Sequence, residues 1–356
     1  MSAPLDLDEY AFELPEEQIA QHPLKSRDAS RLLRLDRSSG AISGEHRVHE
    51  LPELLSPGDL LVVNATQVLS ARLLGQKASG GRAEALLMGA DPSGQPRTYR
   101  ALIRSGGRLR VGLKFTFTHE EASLEAELIA LHTDGEATLL FAGAQDPLSM
   151  GEAPLPPYIQ KARPTENGPE QRAEDLERYQ TVYARAPGAI AAPTAGLHLT
   201  RPLLETLASA DIGYAEVILH VGAGTFRPLS EESLRLGTLH SEHYQLPEDT
   251  AEAIERTRAK GGRVIAVGTT TTRVLEARAT DAGGVRPGEG QTDLFIRPGD
   301  RFRVVDGLMT NFHLPRSSLL LLVAAFAGQA PVMAAYRHAV QSGYRFYSYG
   351  DAMLIV

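Results

Sequence analysis

The chain has 356 residues, of which 42% are hydrophobic and 22% are charged, so we expect a sizeable packed core and little disorder. It contains no cysteine, which excludes disulfides, cysteine-ligated zinc, iron–sulfur clusters and a thiolate nucleophile. The net charge of −8 argues against a protein that coats nucleic acid without specificity, because such binding depends on neutralising phosphates. The length allows two domains or one large α/β domain with an insertion.

The N-terminal segment and the apolar stretches favour a soluble, cytoplasmic protein. Residues 1–10 carry three acids and no apolar run, which is unlike a secretory signal. The longest apolar stretch, Leu319 to Ala327, has roughly half of the ~20 residues that a membrane-spanning helix needs. We therefore expect no contact with a membrane.

The first 150 residues are rich in strand signals. Residues 30–48 predict a hairpin, because strand-like segments flank the turn residues Ser38, Ser39 and Gly40. The segment PGDLLVVN, which begins at Pro57, is a short apolar run typical of a strand buried on both faces. After it, short strands separated by turns recur without a helical period, which predicts a small β-barrel or a sandwich.

Beyond Gly188 strands and helices alternate, which predicts a largely parallel or mixed sheet. Thr200 is expected to cap a helix, a second helix ends at Gly261 and Gly262, and a third starts directly after Gly268. The last segment, YRFYSYGDAMLIV, is expected to form strands. We interpret PGDLLVVN as a core strand of this half, so that an α/β domain of residues 1–67 and 150–356 is interrupted by an inserted domain of residues 68–149.

Four of the eleven histidines lie beside turns of the α/β half that carry Gly, Pro or Glu, namely His198, His220, His240 and His313. A single histidine in such a place is more often structural, but four of them favour at least one acid–base group. None of them has HxH or HExxH spacing, so we predict no metal site.

Two turns that follow strands are candidates for ligand binding. In AVGTTTTR, a helix begins directly after a glycine, and its free N–H groups and hydroxyls could bind a carboxylate or phosphate. The alternative is a capping threonine with its neighbours at the surface. In LHVGAGTF, a tight turn could let the backbone approach a ligand or a neighbouring strand, although the third glycine of a dinucleotide fingerprint is missing. The candidate residues are Gly222, Gly224, Thr225, Gly268, Thr269, Thr270, Thr271 and, as an ion partner, Arg273.

A basic stretch from residue 97 to residue 114 contains no acid and is followed by an acidic stretch. The two stretches could form neighbouring strands whose opposite charges complement each other on the solvent face. Alternatively, the basic stretch could form a surface that binds a polyanion. The candidates for such a surface are Arg97, Arg100, Arg104, Arg108 and Arg110; a competing basic stretch is Lys25, Arg27, Arg31, Arg34 and Arg37. Near the C-terminus, Tyr349 could be a core aromatic or could stack on a purine.

Eleven segments, in order along the chain, resemble the S-adenosylmethionine:tRNA ribosyltransferase-isomerases of queuosine biosynthesis. They are FELPEEQIAQHPLKSRDASRLL, PGDLLVVNATQVLSARLLG, GGRAEALL, PLPPYI, YQTVYA, GAIAAPTAGLHLT, LHVGAGTFRP, HSEHY, GRVIAVGTTTTRVLEA, DGLMTNFHLPRSSLLLLVAAFAG and YRFYSYGDAMLI. The chain departs from the family pattern at Ala65, Gly307, Ser318 and Tyr347, none of which the chemistry requires.

The resemblance implies a larger α/β domain with a mixed sheet, an inserted small β-barrel and a monomeric state. It also implies a reaction. The ribosyl part of S-adenosylmethionine, the co-substrate, would be transferred and isomerised onto 7-aminomethyl-7-deazaguanine at the wobble position of a GUN-anticodon tRNA. Epoxyqueuosine would form, and adenine and methionine would be released.

The residues suit this chemistry. A sulfonium acidifies the adjacent 5′ carbon, so the reaction needs a base, for which His198, His220 and His313 are the candidates. The carboxylate of methionine could bind at the helix start from Thr269 to Thr272, and no step requires a metal. Two alternatives remain open: a methyltransferase that uses the same co-substrate, and an RNA-binding protein without catalytic activity.

Overall fold

The computed structural model describes residues 5–161, 168–222, 224 and 229–356, which contain a large mixed sheet and a closed barrel. The strands are β1 (Arg31–Leu35), β2 (Ile42–Arg47), β3 (Leu60–Asn64), β4 (Thr66–Val68), β5 (Arg72–Lys77), β6 (Arg82–Ala90), β7 (Thr98–Ser105), β8 (Lys114–His119), β9 (Ala122–Leu131), β10 (Glu136–Phe141), β11 (Ala186–Ala189), β12 (Gly213–Leu219), β13 (Thr238–Leu246), β14 (Val264–Val267), β15 (Gly288–Leu294), β16 (Gly307–Asn311) and β17 (Ala352–Ile355). The helices are α1 (Leu51–Leu54), α2 (Pro157–Lys161), α3 (Pro169–Arg178), α4 (Arg201–Ser209), α5 (Glu231–Leu236), α6 (Glu248–Ala259), α7 (Thr269–Ala277), α8 (Ser318–Ala327) and α9 (Gln329–Gln341).

The main sheet has nine strands in the order β15-β13-β12-β3-β14-β16-β17-β1-β2. Its centre is parallel, because β3 pairs in parallel with both β12 and β14, and β14 pairs in parallel with β16. Antiparallel pairs follow on both sides, between β12 and β13 and between β16 and β17. The predicted mixed sheet of an α/β fold is confirmed.

The central strand β3 is buried along its whole length, as its apolar sequence predicts. Successive side chains of a strand point to opposite faces of the sheet. Accordingly, Leu60 and Val62 pack into a core shared with α6 to α9, whereas Leu61 and Val63 pack into a second core with α1 and α4. The centre of the sheet is therefore covered on both faces, which explains why β3, β14 and β16 are buried throughout rather than in alternation.

Six antiparallel strands form a closed barrel in the order β10-β7-β6-β5-β8-β9. Its interior is filled by aromatic and aliphatic side chains, including Phe115, Phe117 and Phe141. Closure leaves the barrel without free edges, and it decides the choice between a barrel and a sandwich that the sequence left open. The strands β4 and β11 form a separate short parallel pair, and β4 comes directly before the first barrel strand in the sequence.

The C-terminal segment differs from the expectation. Of YRFYSYGDAMLIV, only Ala352–Ile355 forms a strand, and the expected strand through residues 344–349 is wrong. There the backbone makes a turn in which Tyr347 has a φ of 75°, so the extended conformation that a strand needs is interrupted.

Within the described residues, no single helix is both long enough and apolar enough to cross a membrane. Ser318–Ala327 and Gln329–Gln341 meet that criterion only as a pair, and their axes are bent by 118°. The apolar side chains of α8 lie in the core beside the sheet.

Candidate active site

A cavity of about 420 Å³ lies where β14 and β16 end, and this volume is in the range of ordinary ligand sites. Thr269 and Thr270 at the start of α7 line it, together with Thr310, Asn311 and His313 around the end of β16. Because β3, β14 and β16 are parallel, their carboxyl ends meet at one edge of the sheet. This is the edge at which open α/β sheets bind their ligands.

The turn between β14 and α7 depends on Gly268, whose φ of 90° is readily adopted by glycine and strained for other residues. Gly268, Thr269 and Thr270 all line the cavity. Thr271 does not, because its hydroxyl donates to the Val267 carbonyl at 2.8 Å and is fully buried. Three of the four predicted anion-binding residues of this turn therefore line the cavity, and the hydroxyl of the fourth is bound to the last residue of β14.

Asn64, the last residue of β3, holds this turn in place. Its Nδ2 donates to the Leu219 carbonyl at 3.0 Å and to the Thr270 hydroxyl at 3.3 Å. Its Oδ1 accepts from the N–H groups of Leu219 and Thr66. Asn64 is not among the residues predicted from the sequence. The signal that could have identified it is an amide that ends an otherwise apolar buried strand.

Arg273 lines the cavity, and its guanidinium is bound to other groups of the protein. Its guanidinium pairs with the Glu242 carboxylate, and it also donates to the carbonyls of Leu294 at 3.0 Å and Thr292 at 3.4 Å. The other Glu242 oxygen accepts from the Gly222 N–H at 3.0 Å. Both charged side chains are buried, so Glu242 neutralises Arg273 and joins α7 to β13 and to the turn after β12.

The turn after β12 contributes one of its predicted residues to the cavity. Gly224 lines the cavity and packs closely on His240, since an added Cβ would lie 2.4 Å from the ring carbon Cδ2. Gly222 is not in the lining and acts through its bond to Glu242. Thr225 lies outside the described residues.

Of the three candidate bases His198, His220 and His313, only His313 lines the cavity, and His240, the fourth histidine beside a turn of this half, lines it as well. The His313 ring is buried, and its Nε2 lies 2.9 Å from the Thr310 hydroxyl. Its backbone N–H donates to the Tyr336 oxygen at 3.1 Å. Burial lowers the pKa of His313 to about 3, so the imidazole is neutral at pH 7.

His220 is not among the residues that line the cavity. Its Nδ1 lies 2.8 Å from the Thr66 hydroxyl, and its ring stacks on that of His243 with the centroids 5.9 Å apart. Burial, and then the neighbouring His243, lower the pKa of His220. The ring also covers Gly188, where an added Cβ would lie 2.7 Å from it.

His198 is buried behind Asn311 and lines a separate small crevice with Arg27 and Arg178. Burial lowers the pKa of His198 to about 4, and the Asn311 side chain opposes this shift. His198 Nε2 and Asn311 Oδ1 nevertheless make no hydrogen bond of standard geometry within the described residues. The structure thus brings His313 and the start of α7 to one cavity and leaves His198 outside its lining.

The predicted polyanion surface divides into two groups. Arg97 donates to the backbone carbonyls of Phe141, Ala142 and Gln145, so its guanidinium has a structural use. Arg100 pairs with Asp91 at 2.8 Å and with Glu136 at 3.5 Å. For these two arginines the structure favours the complementary-charge interpretation.

Arg104, Arg108 and Arg110 are exposed, and none of them forms an ion pair with a described residue. Strand pairing brings two further cations to this end of the barrel. Lys77 donates to the Gly106 carbonyl of the neighbouring turn, and Arg82 precedes the residue paired with Ser105. We call Lys77, Arg82, Arg104, Arg108 and Arg110 the barrel patch.

Tyr349 is buried and packs edge-on against Tyr179, with the ring centroids 6.1 Å apart. It lines the crevice beside His198 rather than the cavity. The tyrosine of this segment that lines the cavity is Tyr347. Within the described residues, no group of three or more His, Asp or Glu side chains is arranged to hold a metal ion.

Comparison with known proteins gives a consistent result. A family model described as a queuosine biosynthesis protein matches residues 7–355. The S-adenosylmethionine:tRNA ribosyltransferase-isomerase of Anaeromyxobacter sp. (strain K) is 50% identical over 356 residues, which cover 98% of this chain and 99% of the relative. The enzyme of the same name from Gloeobacter violaceus is 48% identical and covers 100% of this chain and 99% of its own.

A solved structure agrees. The crystal structure of S-adenosylmethionine tRNA ribosyltransferase from Thermotoga maritima has 37% sequence identity and a TM-score of 0.54, and the match covers 98% of this chain and 100% of the other. The sequence segments, the mixed sheet with its barrel and the full-length matches agree. The chain belongs to the S-adenosylmethionine:tRNA ribosyltransferase-isomerase family of queuosine biosynthesis enzymes.

Proposed function

We propose that this chain transfers and isomerises the ribosyl part of S-adenosylmethionine onto 7-aminomethyl-7-deazaguanine at the wobble position of a GUN-anticodon tRNA. The products are epoxyqueuosine in the tRNA, free adenine and methionine. The observation that carries the proposal is the meeting of a neutral, buried His313 with the start of α7 in one cavity. The first can accept a proton and the second can bind a carboxylate, which are two requirements of this reaction.

His313 is the base in this proposal. The positive sulfonium makes the protons of the adjacent 5′ carbon acidic, and a neutral imidazole can remove one of them. His313 lines the cavity, whereas His198 and His220 are not among its lining residues. Replacing each histidine by alanine and measuring deuterium exchange at the 5′ carbon tests this assignment. Exchange should fall most in His313→Ala, and full exchange in all three variants would reject these three histidines as the base.

The carboxylate of methionine binds at the start of α7 in this proposal. The first backbone N–H groups of a helix have no partner within the helix, and the helix dipole favours an anion there. Gly268 and the two following threonines line the cavity at this point. Arg273 contributes by fixing the helix rather than by pairing with the ligand, since Glu242 already neutralises it.

The remaining parts of the proposal concern organisation. The α/β domain consists of residues 1–67 and 150–356, and residues 68–149 are the inserted domain; the closed barrel of β5 to β10 supports this division. The protein acts as a cytoplasmic monomer without a metal. The barrel patch contacts the tRNA backbone, because its four exposed arginines can neutralise phosphates.

One experiment separates the three functions. The protein is incubated with S-adenosylmethionine and tRNA that carries 7-aminomethyl-7-deazaguanine, and the small molecules are resolved by chromatography. Free adenine and methionine support the proposal. S-adenosylhomocysteine with intact adenosine indicates a methyltransferase, and unchanged S-adenosylmethionine with bound tRNA indicates a binding protein.

A further inference from the structure

Tyr347 has an unusual backbone conformation for an aromatic residue. Its φ of 75° lies in the left-handed region, where the side chain of an L-residue crowds the backbone. The other non-glycine residues with positive φ in the described chain are Arg97, Glu120, Asp211 and Arg316. None of those four lines the cavity, whereas Tyr347 does. Strained backbone persists where the surroundings fix it, and such sites are concentrated at ligand-binding positions.

Asn311 and its neighbours fix this conformation. The Tyr347 N–H donates to the Phe312 carbonyl at 2.9 Å, and the Tyr347 carbonyl accepts from Asn311 Nδ2 at 2.8 Å. Asn311 Nδ2 also lies 3.4 Å from the Ser348 carbonyl. On the other side, the Ser348 N–H donates to the Tyr158 hydroxyl at 3.2 Å. The strained residue is therefore held at its own amide, at its carbonyl and at the next residue.

The contacts of Asn311 also decide which way its amide faces. Two backbone carbonyls lie against Nδ2, so this atom must be the NH₂ group, and Oδ1 must face away from the turn. His198 lies on that side. Asn311 is almost completely buried, so no water molecule competes for the hydrogen bonds that fix its orientation.

The ring of Tyr347 is restrained as well. The Tyr158 ring packs against it with the centroids 4.5 Å apart and the planes inclined by 62°. A restrained aromatic ring in the wall of a cavity offers a flat surface at little further loss of conformational freedom. Flat heteroaromatic bases stack on such rings irrespective of their hydrogen-bonding pattern.

We infer that Tyr347 is a binding residue on which a substrate's heteroaromatic base stacks, and that Asn311 is the positioning residue that holds it. The inference rests on the proposed function, which supplies two such bases: the adenine of S-adenosylmethionine and the deazaguanine of the tRNA. Both have the chemistry that the ring recognises. They arrive on different molecules, so separate binding measurements distinguish them.

The test uses the full-length protein with Tyr347→Ala and Tyr347→Phe. The Kd for S-adenosylmethionine is measured by calorimetry without tRNA, and the KM for the modified tRNA is measured at saturating S-adenosylmethionine. Loss of the ring should weaken one of the two by about 10- to 100-fold, and Tyr347→Phe should lose far less because it keeps a ring. A change in Kd identifies adenine, and a change in KM alone identifies deazaguanine. If neither changes in a folded Tyr347→Ala protein, the inference is wrong.

Tyr347→Gly separates binding from folding. Glycine accepts the positive φ, so Tyr347→Gly should melt at a higher temperature than Tyr347→Ala, while the two variants should lose the same affinity. Asp211→Gly is the matched control, since Asp211 has a φ of 58° outside the cavity and its replacement should leave both affinities unchanged. A variant that binds normally but melts earlier would show that Tyr347 has only a structural role.

The role of Asn311 is tested by combining variants. Asn311→Ala should weaken the same affinity as Tyr347→Gly, and the double variant should be no weaker than Tyr347→Gly alone, because Asn311 acts through the ring. Additive losses would overturn the positioning role. Failure of the proposed function can be told apart from failure of this inference. If the unaltered protein releases no adenine, the proposed function is wrong. The Kd for S-adenosylmethionine can still be compared between variants, so the role of Tyr347 is tested independently.

Discussion

His198, His220 and His313 have similar surroundings in the sequence, but burial and neighbours give them different properties. His313 reaches the cavity, His220 contacts Thr66 and stacks on His243, and His198 lies behind Asn311. The sequence could predict that a histidine of this half is an acid–base candidate. It could not rank the three, because the ranking depends on side-chain directions that arise from strand pairing over long distances in the chain.

Two buried histidines make the free energy of unfolding depend on pH. In the unfolded chain, His198 and His313 take up a proton near their ordinary pKa of 6.5, but in the folded protein they do so only near about 4 and about 3. The unfolded state therefore binds more protons below pH 6.5, and the free energy of unfolding should fall as the pH falls through this window. Each histidine contributes up to about 1.4 kcal/mol per pH unit.

Urea unfolding of the unaltered protein and of His198→Gln between pH 7 and pH 5 measures this effect. Glutamine does not titrate, so the variant should lose less stability on acidification than the unaltered protein. Equal losses in both proteins would contradict a low folded-state pKa for His198.

At the level of elements, α7 has no side-chain cap, and it is held by Asn64 at its start and by a buried charge pair further along. Gly268 makes the turn, and Arg273 reaches from the helix to Glu242 on β13 and to carbonyls at the end of β15. The helix start could be predicted from the glycine and the following threonines. The commitment of Arg273 could not, because Glu242 lies on a strand whose position relative to α7 is set by the sheet order.

Glu242→Ala should lower the free energy of unfolding by about 3–5 kcal/mol, because it leaves the Arg273 charge buried without its partner. Denaturant unfolding measures the change. Glu252→Ala, which breaks the exposed pair with Arg256 on α6, is the matched control and should cost less than about 1 kcal/mol. A similarly small effect for Glu242→Ala would mean that Arg273 is solvated.

Strands were predicted best where apolar periodicity is simple. The strand β3 is buried on both faces and was predicted from its continuous apolar run. The barrel strands bury one face each and were predicted from their short apolar patterns. The segment of residues 344–349 misled because its aromatic residues are typical of strands. Asn311 and Tyr158 hold Tyr347 and Ser348 in a turn instead, and tertiary contacts of this kind cannot be seen in a local pattern.

At the level of the whole molecule, a chain with a net charge of −8 presents a group of cations at one end of its barrel. Arg104, Arg108 and Arg110 could be identified from the sequence, whereas Lys77 and Arg82 join them only through strand pairing. Such a local group of cations allows an acidic protein to bind a polyanion at that place.

Charge reversal at Arg108 and Arg110 should weaken tRNA binding and make it less dependent on salt. Each lost phosphate contact reduces the slope of log affinity against log salt by roughly 0.7 to 0.9. Fluorescence anisotropy with labelled tRNA at several salt concentrations measures both quantities. The same reversal at Arg256 and Lys260, which are exposed on and beside α6, is the control and should have a smaller effect. Equal effects of the two double variants would assign the change to net charge alone.

The position of β3 has a consequence for the order in which the molecule folds. Val62 pairs with Ala215 on one side and with Ala266 on the other, so the central strand has no sheet neighbour until most of the chain is available. The barrel, in contrast, is complete by Phe141, and its strands pair with partners nearby in the chain. Pairing between distant segments is slow, because a long loop must close first. The barrel can therefore form early during synthesis, while the apolar β3 remains unpaired until β12 and β14 have been made.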